Sequence, residues 1–222
     1  MALSAAPALE LVLAVAWIAA PFAGAGTVAW AGGWIYLGLL LAGLVAHYTF
    51  VRERAPELRA RRARVGAGTP AWDLAWVAAF WPSMLAAPAV AGVDVVRLGH
   101  PPLSLAAWVA GAGLLALGLG LSAAAMASNP WFEGTVRLQP GQGVVRAGPY
   151  ARVRHPGNAG LVLWAASAPL LLRSRWALFP AAFTIAWVVL RTALEDAVLR
   201  RGLEGYAEYA TKVRARLVPG VW

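Results

Sequence analysis

Six runs of apolar residues, at about 8–29, 33–51, 71–93, 103–127, 157–172 and 176–194, leave this 222-residue chain few ways to fold. About 20 apolar residues in a helix cross the hydrocarbon core of a bilayer. No water reaches the backbone there, so each crossing segment must close its own hydrogen bonds as a helix. The expected fold class is therefore all-α: a polytopic helical membrane protein with five or six transmembrane helices. The fifth and sixth runs are short, so one of them need not cross fully. Residues 1–9 carry no Lys or Arg, so the first run lacks the basic flank of a signal peptide and reads as a retained helix.

Charge sets the orientation. Alternate loops, 52–70, 128–156 and the tail from 191, hold sixteen of the basic residues, against three in the remaining turns. Basic residues mark the cytoplasmic side, which places both termini there. The same asymmetry accounts for the net charge of +9 and removes nucleic acid as an expected partner. The run from Arg52 to Arg64, with Arg59, Arg61 and Arg62, reads as a juxtamembrane stretch that touches anionic lipid heads. There is no cysteine, which excludes disulfides and thiol chemistry. His47, His100 and His155 are too scattered for a metal site, and no phosphate-cradling glycine motif is present.

The chain reads as one membrane domain over 1–222. Residues 1–127 supply four N-terminal transmembrane helices. Residues 128–222 supply a cofactor-binding loop, a helical hairpin and a cytoplasmic amphipathic helix. Ala112, Ala116, Gly120, Ala124 and Ser128, and likewise Gly38, Ala42 and Ala46, recur every four residues and are expected to face neighbouring helices. Trp30, Trp34, Trp72, Trp76, Trp131 and Trp176 fall near segment ends and read as an interfacial belt.

The stretch 148–158, GPYARVRHPGN, leads straight into the fifth apolar run. Pro156 suits the first position of a helix. The amides of Gly157, Asn158 and Ala159 are then expected to point unpaired from the helix end, where anions are attracted, with Arg152 and Arg154 adding positive charge. The last two apolar runs are joined by about three residues and should form an antiparallel hairpin. That hairpin would bring Tyr150, Arg154, His155 and Asn158 beside Arg191, Glu195 and Asp196. From Leu194 onward an apolar stripe through Tyr206 and Tyr209 reads as an amphipathic helix on the membrane surface.

GPYARVRHPGN at 148–158, RTALEDAVL at 191–199 and GYAEYATKVRARLVPGVW at 205–222 together resemble the membrane methyltransferases of the isoprenylcysteine carboxyl methyltransferase type, to which the phospholipid N-methyltransferases are related. The resemblance implies S-adenosyl-L-methionine as methyl donor, held between the block around His155 and the acidic pair Glu195–Asp196. It places Tyr150, His155, Pro156, Gly157, Asn158, Glu195, Asp196, Tyr206 and Tyr209 around the donor. It places Arg154 and Arg191 beside the cavity and makes them, with Glu195, the candidate catalytic residues, one arginine orienting the acceptor. The family usually has Tyr two residues after the proline, where this chain has Asn158. The implied acceptor is lipophilic: isoprenylcysteine carboxylate-like or phospholipid amine-like. Membrane lipids are the implied surroundings, in the inner (cytoplasmic) membrane of a prokaryote, with the site facing the cytoplasm. Two other classes stay open at this point: a nicotinamide-dependent membrane reductase of sterol-reductase type, and a non-enzymatic membrane protein retaining the fold.

Overall fold

The structure is a computed structural model that describes residues 5–56, 58 and 68–222. Arg59, Arg61, Arg62 and Arg64 of the basic run lie outside the described residues. Seven α-helices and no strand are present among the described residues: α1 (Ala5–Ala25), α2 (Ala31–Arg54), α3 (Ala71–Gly92), α4 (Leu105–Ser128), α5 (Pro156–Leu171), α6 (Leu178–Gly202) and the short α7 (Tyr206–Lys212). The protein is a polytopic helical membrane protein. Four helical stretches are long and apolar enough to cross a membrane: Ala31–Arg54, Ala71–Arg97, Leu105–Ser128 and Leu178–Gly202.

α1 to α6 alternate in direction between two ends of the molecule. At one end the Arg97 guanidinium donates to the Ala23 carbonyl at 2.8 Å, and Leu103 N–H donates to the Arg173 carbonyl at 2.8 Å. Buried Asp94, in the π-helical turn Val93–Arg97 that ends α3, accepts from the Ser174 hydroxyl at 2.5 Å and pairs with His100 at 2.7 Å. The fifth helix therefore reaches this end although its 16 residues rise only about 24 Å. The other end gathers the start of α3, the loop after α4, the start of α5 and the end of α6, and it holds the site.

α4 and α5 pack most closely, at Gly118 and Gly160. A Cβ on Gly160 would stand 2.6 Å from the Gly118 carbonyl oxygen, and one on Gly118 would stand 2.8 Å from that of Gly160. The backbones touch, as small residues allow in lipid. This corrects the sequence expectation about the stripes. Ala116 and Gly120 are exposed, and nothing lies within 4 Å of a Cβ at Gly120. The face of α4 that packs holds Gly111, Leu115, Gly118, Leu119, Ala123 and Ala125. On α2, Gly38, Ala42 and Ala46 are exposed too, while Gly33, Tyr36 and Leu40 turn inward. A four-residue spacing drifts around a 3.6-residue helix, so the α2 stripe and the middle of the α4 stripe turn outward, while Ala112 packs on the core and Ala124 and Ser128 are half-buried.

Exposed Leu11, Val15, Leu41, Val109, Leu117 and Phe183 cover the outside, the polarity of a protein whose solvent is lipid. Trp76 departs from the expected belt. It is buried in a core cluster with Phe80, Met84 and Val188, and its indole N–H donates to the Trp187 carbonyl at 2.9 Å.

Candidate functional site

The basic stretch before α5 is pinned by the C-terminal tail. Arg154 N–H donates to the Ala215 carbonyl at 2.9 Å and His155 N–H to that of Arg216 at 3.0 Å. Pro156 opens α5 as expected. Ala159 N–H already donates to the His155 carbonyl at 3.0 Å, as the fourth residue of a helix does. The open end therefore consists of Gly157 and Asn158, not of three residues.

The hairpin of α5 and α6 places the imidazole of His155 beside both acidic residues. Its Nδ1 lies 3.8 Å from Glu195 Oε1 and its Nε2 3.2 Å from Asp196 Oδ1. The two carboxylates have different surroundings. Asp196 is 1% exposed and carries a dense set of donors: Arg154 Nε at 2.8 Å, Arg200 Nε at 2.9 Å, Arg216 Nε at 3.1 Å and the Tyr206 hydroxyl at 2.9 Å, besides His155. Arg154 also gives two N–H bonds to the Val213 and Arg214 carbonyls, at 2.8 and 2.7 Å. Asp196 and Arg154 thus tie tail, loop and α6 together. Glu195 keeps a 24% exposed side chain. Burial works against a charge on His155, but the two carboxylates outweigh it and raise its pKa above the ordinary 6.5, so it stays protonated further into the neutral range.

Three tyrosines close this part of the site. The Tyr209 hydroxyl donates to the Tyr150 carbonyl at 2.6 Å, Asn129 Nδ2 donates to the Tyr150 hydroxyl at 3.1 Å, and Tyr206 reaches Asp196. Burial pushes the Tyr209 hydroxyl up to about 12 and raises those of Tyr150 and Tyr206 further, so all three stay neutral; Tyr206 and Tyr209 donate, and Tyr150 accepts from Asn129. They are not on one continuous surface helix, which corrects the expectation for the tail. α6 runs on to Gly202, the chain turns at Gly205 with φ +75°, and α7 is seven residues long.

A second network centres on Arg191. Its Nε donates to Asp73 Oδ1 at 2.9 Å, its Nη1 to Asn158 Oδ1 at 3.2 Å and Glu195 Oε2 at 3.3 Å, and its Nη2 to the Gly134 carbonyl at 3.1 Å. The guanidinium carbon sits 4.5 Å from the centre of the Trp76 ring. Asn158 Nδ2 donates to Glu195 Oε2 at 2.9 Å and to Thr192 Oγ1 at 3.1 Å. Where the resembling family carries Tyr, Asn158 here bridges Arg191 and Glu195. Asp73 is 0% exposed and also accepts from Val136 N–H at 2.6 Å. Sequence reasoning missed it. The available signal was its position as the lone charge in the third apolar run, since an ionisable residue in such a run marks a partner or a cavity.

Two adjoining cavities result. A polar cleft of about 110 Å³ is walled by Tyr150, Arg154, His155, Glu195, Tyr206 and Tyr209, among others. An apolar cavity of about 330 Å³ adjoins it, with Trp76, Phe80, Trp81, Leu161 and Trp164 in its wall. Phe132, Glu133, Thr135, Gly157, Asn158 and Arg191 line both. Of the residues expected around a donor, Pro156 and Asp196 are not part of the cleft wall, while the others face it.

Fold and site together define a helical membrane protein with a charged cleft that backs onto an apolar cavity. Residues 111–201 match the model of the Isoprenylcysteine carboxyl methyltransferase (ICMT) family. The match supports that family for this chain and, with it, a membrane methyltransferase. The matched stretch holds most of α4, the His155 loop, α5 and nearly all of α6; Asp73, Tyr206 and Tyr209 lie outside it. No curated protein matches the chain.

Proposed function

We propose that the protein transfers a methyl group from S-adenosyl-L-methionine, held in the polar cleft, to a lipophilic acceptor held in the apolar cavity. The observation that carries this reading is the shared wall: a charged cleft and an aromatic cavity meet at Gly157, Asn158 and Arg191. The cleft fits the chemistry of the donor. Glu195 is the carboxylate there with a partly exposed side chain, suited to the donor's ammonium group. The open helix end at Gly157–Asn158 suits its carboxylate. Gly157 leaves the junction open, since a Cβ there would stand 2.7 Å from the Phe132 ring.

When bound, the donor supplies an activated methyl group, and the chain supplies position and dryness. Displacement at carbon requires the acceptor atom in line with the methyl group and poorly solvated. Trp76, Phe80 and Trp81 exclude water on the acceptor side. α2 packs mainly on α4, and α3 mainly on α1 and α6, so the apolar cavity, which both α2 and α3 line, faces the bilayer side from which a lipophilic acceptor arrives. The basic loops at this end support a site on the cytoplasmic side.

Calorimetry of the purified protein in detergent tests the reading. S-adenosylhomocysteine is expected to bind, and Glu195→Gln to weaken it by about tenfold or more, the loss of a charge-assisted hydrogen bond. Binding of a nicotinamide dinucleotide in its place would overturn the proposal.

A further inference from the structure

We infer that Arg200 and Arg216 form a binding site for the phosphate of an anionic phospholipid, apart from the two cavities and independent of the methyl-transfer reading. The site follows from a surplus of charge at Asp196. Three guanidinium groups, from Arg154, Arg200 and Arg216, and the imidazole of His155 converge on that one carboxylate. The neighbouring carboxylate, Glu195, is taken by Arg191. One negative charge cannot match three guanidinium groups, so the cluster stays net positive. Burial decides where the surplus is felt. Arg154 is buried, and its N–H groups are spent on Asp196 and on the Val213 and Arg214 carbonyls. Arg200 and Arg216 have side chains 43% and 31% exposed. Both donate through Nε to the same oxygen, Asp196 Oδ2, which makes the two guanidinium groups neighbours. Each has five N–H donors and uses one of them among the described residues. The Trp222 ring, 4.7 Å from the Arg216 guanidinium carbon, covers a flat face and leaves the N–H edge open. Two adjacent guanidinium forks with free ends are the donor set that binds a phosphate.

The surroundings favour a lipid over a free phosphate. Arg200 lies in the last turn of α6, a helix of 25 residues that rises about 37 Å. The hydrocarbon core takes about 30 Å of that length, so the last turn reaches the headgroup layer, where basic side chains meet lipid phosphates. In the tail, Val218 and Val221 follow Arg216 and are exposed. They offer apolar contact to the lipid whose phosphate the arginines hold. The bound lipid also steadies the cleft. The tail segment that carries Arg216 accepts the backbone N–H bonds of Arg154 and His155, so a headgroup on Arg216 holds the loop that presents His155.

The test titrates the full-length protein in nonionic detergent and reads thermal stabilisation. The probes are dihexanoyl phosphatidylglycerol, dihexanoyl phosphatidylcholine and glycerol phosphate. Phosphatidylglycerol is expected to half-saturate at a concentration about tenfold or more below phosphatidylcholine, through charge, and about tenfold or more below glycerol phosphate, through its apolar chains. No stabilisation by phosphatidylglycerol, or equal potency of either comparison probe, would overturn the inference. Arg200→Gln with Arg216→Gln should raise the half-saturating concentration of phosphatidylglycerol about tenfold or more. Arg201→Gln with Arg214→Gln makes the same charge change at exposed positions nearby and should raise it less than about threefold. Equal losses in the two double variants would show diffuse surface charge and no site. Asp196 keeps Arg154, His155 and Tyr206 in the first double variant. Should that variant still fail to fold, Val218→Asp with Val221→Asp leaves the ion network intact. It should bring phosphatidylglycerol to within about threefold of glycerol phosphate, and an undiminished advantage of the lipid would overturn the lipid site.

Discussion

At Asp196, Arg154, His155, Arg200, Tyr206 and Arg216 converge on one buried carboxylate, and at Asp73 a second carries Arg191 and the Val136 amide. Removing one partner of a buried ion pair leaves the other desolvated and unmatched, at about 3–5 kcal/mol. Asp196→Ala and Asp73→Ala should therefore each lower the thermal midpoint in detergent sharply, while Glu208→Ala, whose partners Lys212 and Arg146 are exposed, should change it little. His155 gives a pH signature. Its folded pKa lies above the unfolded value, so the stability it contributes is fully present below pH 6.5 and is lost as pH rises through the raised value. Thermal midpoints measured across that range should fall with rising pH, and His155→Gln should remove that part of the slope. A flat profile for the wild type would contradict the charged imidazole.

Helix contacts explain which parts of the fold were legible beforehand. The apolar runs located α1 to α6 because a bilayer forces backbone bonds to close within each segment. The charge pattern located the site end because its loops hold most of the arginines. The packing faces were not legible: Gly111, Gly118 and Gly160 look like Gly113 and Gly120 in sequence, and only the crossing of α4 over α5 separates them. Gly160→Ala should cost about 1–3 kcal/mol by overpacking against the Gly118 carbonyl. Gly120→Ala, with open space around it, should be neutral within about 0.5 kcal/mol. Chemical or thermal unfolding of the two variants side by side checks the assignment, and equal losses would contradict it. The tail was misread because a helical stripe from Leu194 through Tyr209 has the right period. Gly205, left-handed at φ +75°, breaks it and turns Tyr206 and Tyr209 onto the cleft.

Across the whole molecule, the hairpin joins residues some forty positions apart, so the meeting of His155 with Glu195 followed from segment lengths. The meeting of Arg191 with Asp73 did not, because it depends on α3 packing beside α6, which no local pattern encodes. The apolar cavity was hidden for the same reason, being assembled from α2, α3, α4 and α5 at once. The start of α1, the C-terminal tail and the cleft belong to one end, and the cysteine-free chain suits single-cysteine labelling. Ala207→Cys should react only from the cytoplasmic side and Pro101→Cys only from the opposite side; labelling of both from one side would contradict the alternating order of helices. The central claim is that methyl transfer runs across the wall shared by cleft and cavity. Its most direct measurement is labelled methyl transfer from S-adenosyl-L-methionine into a total lipid extract by the reconstituted protein. The account predicts label in the organic phase from the wild type and at most about a tenth of it from Glu195→Gln. Label absent from the wild type, or undiminished in the variant, would contradict it.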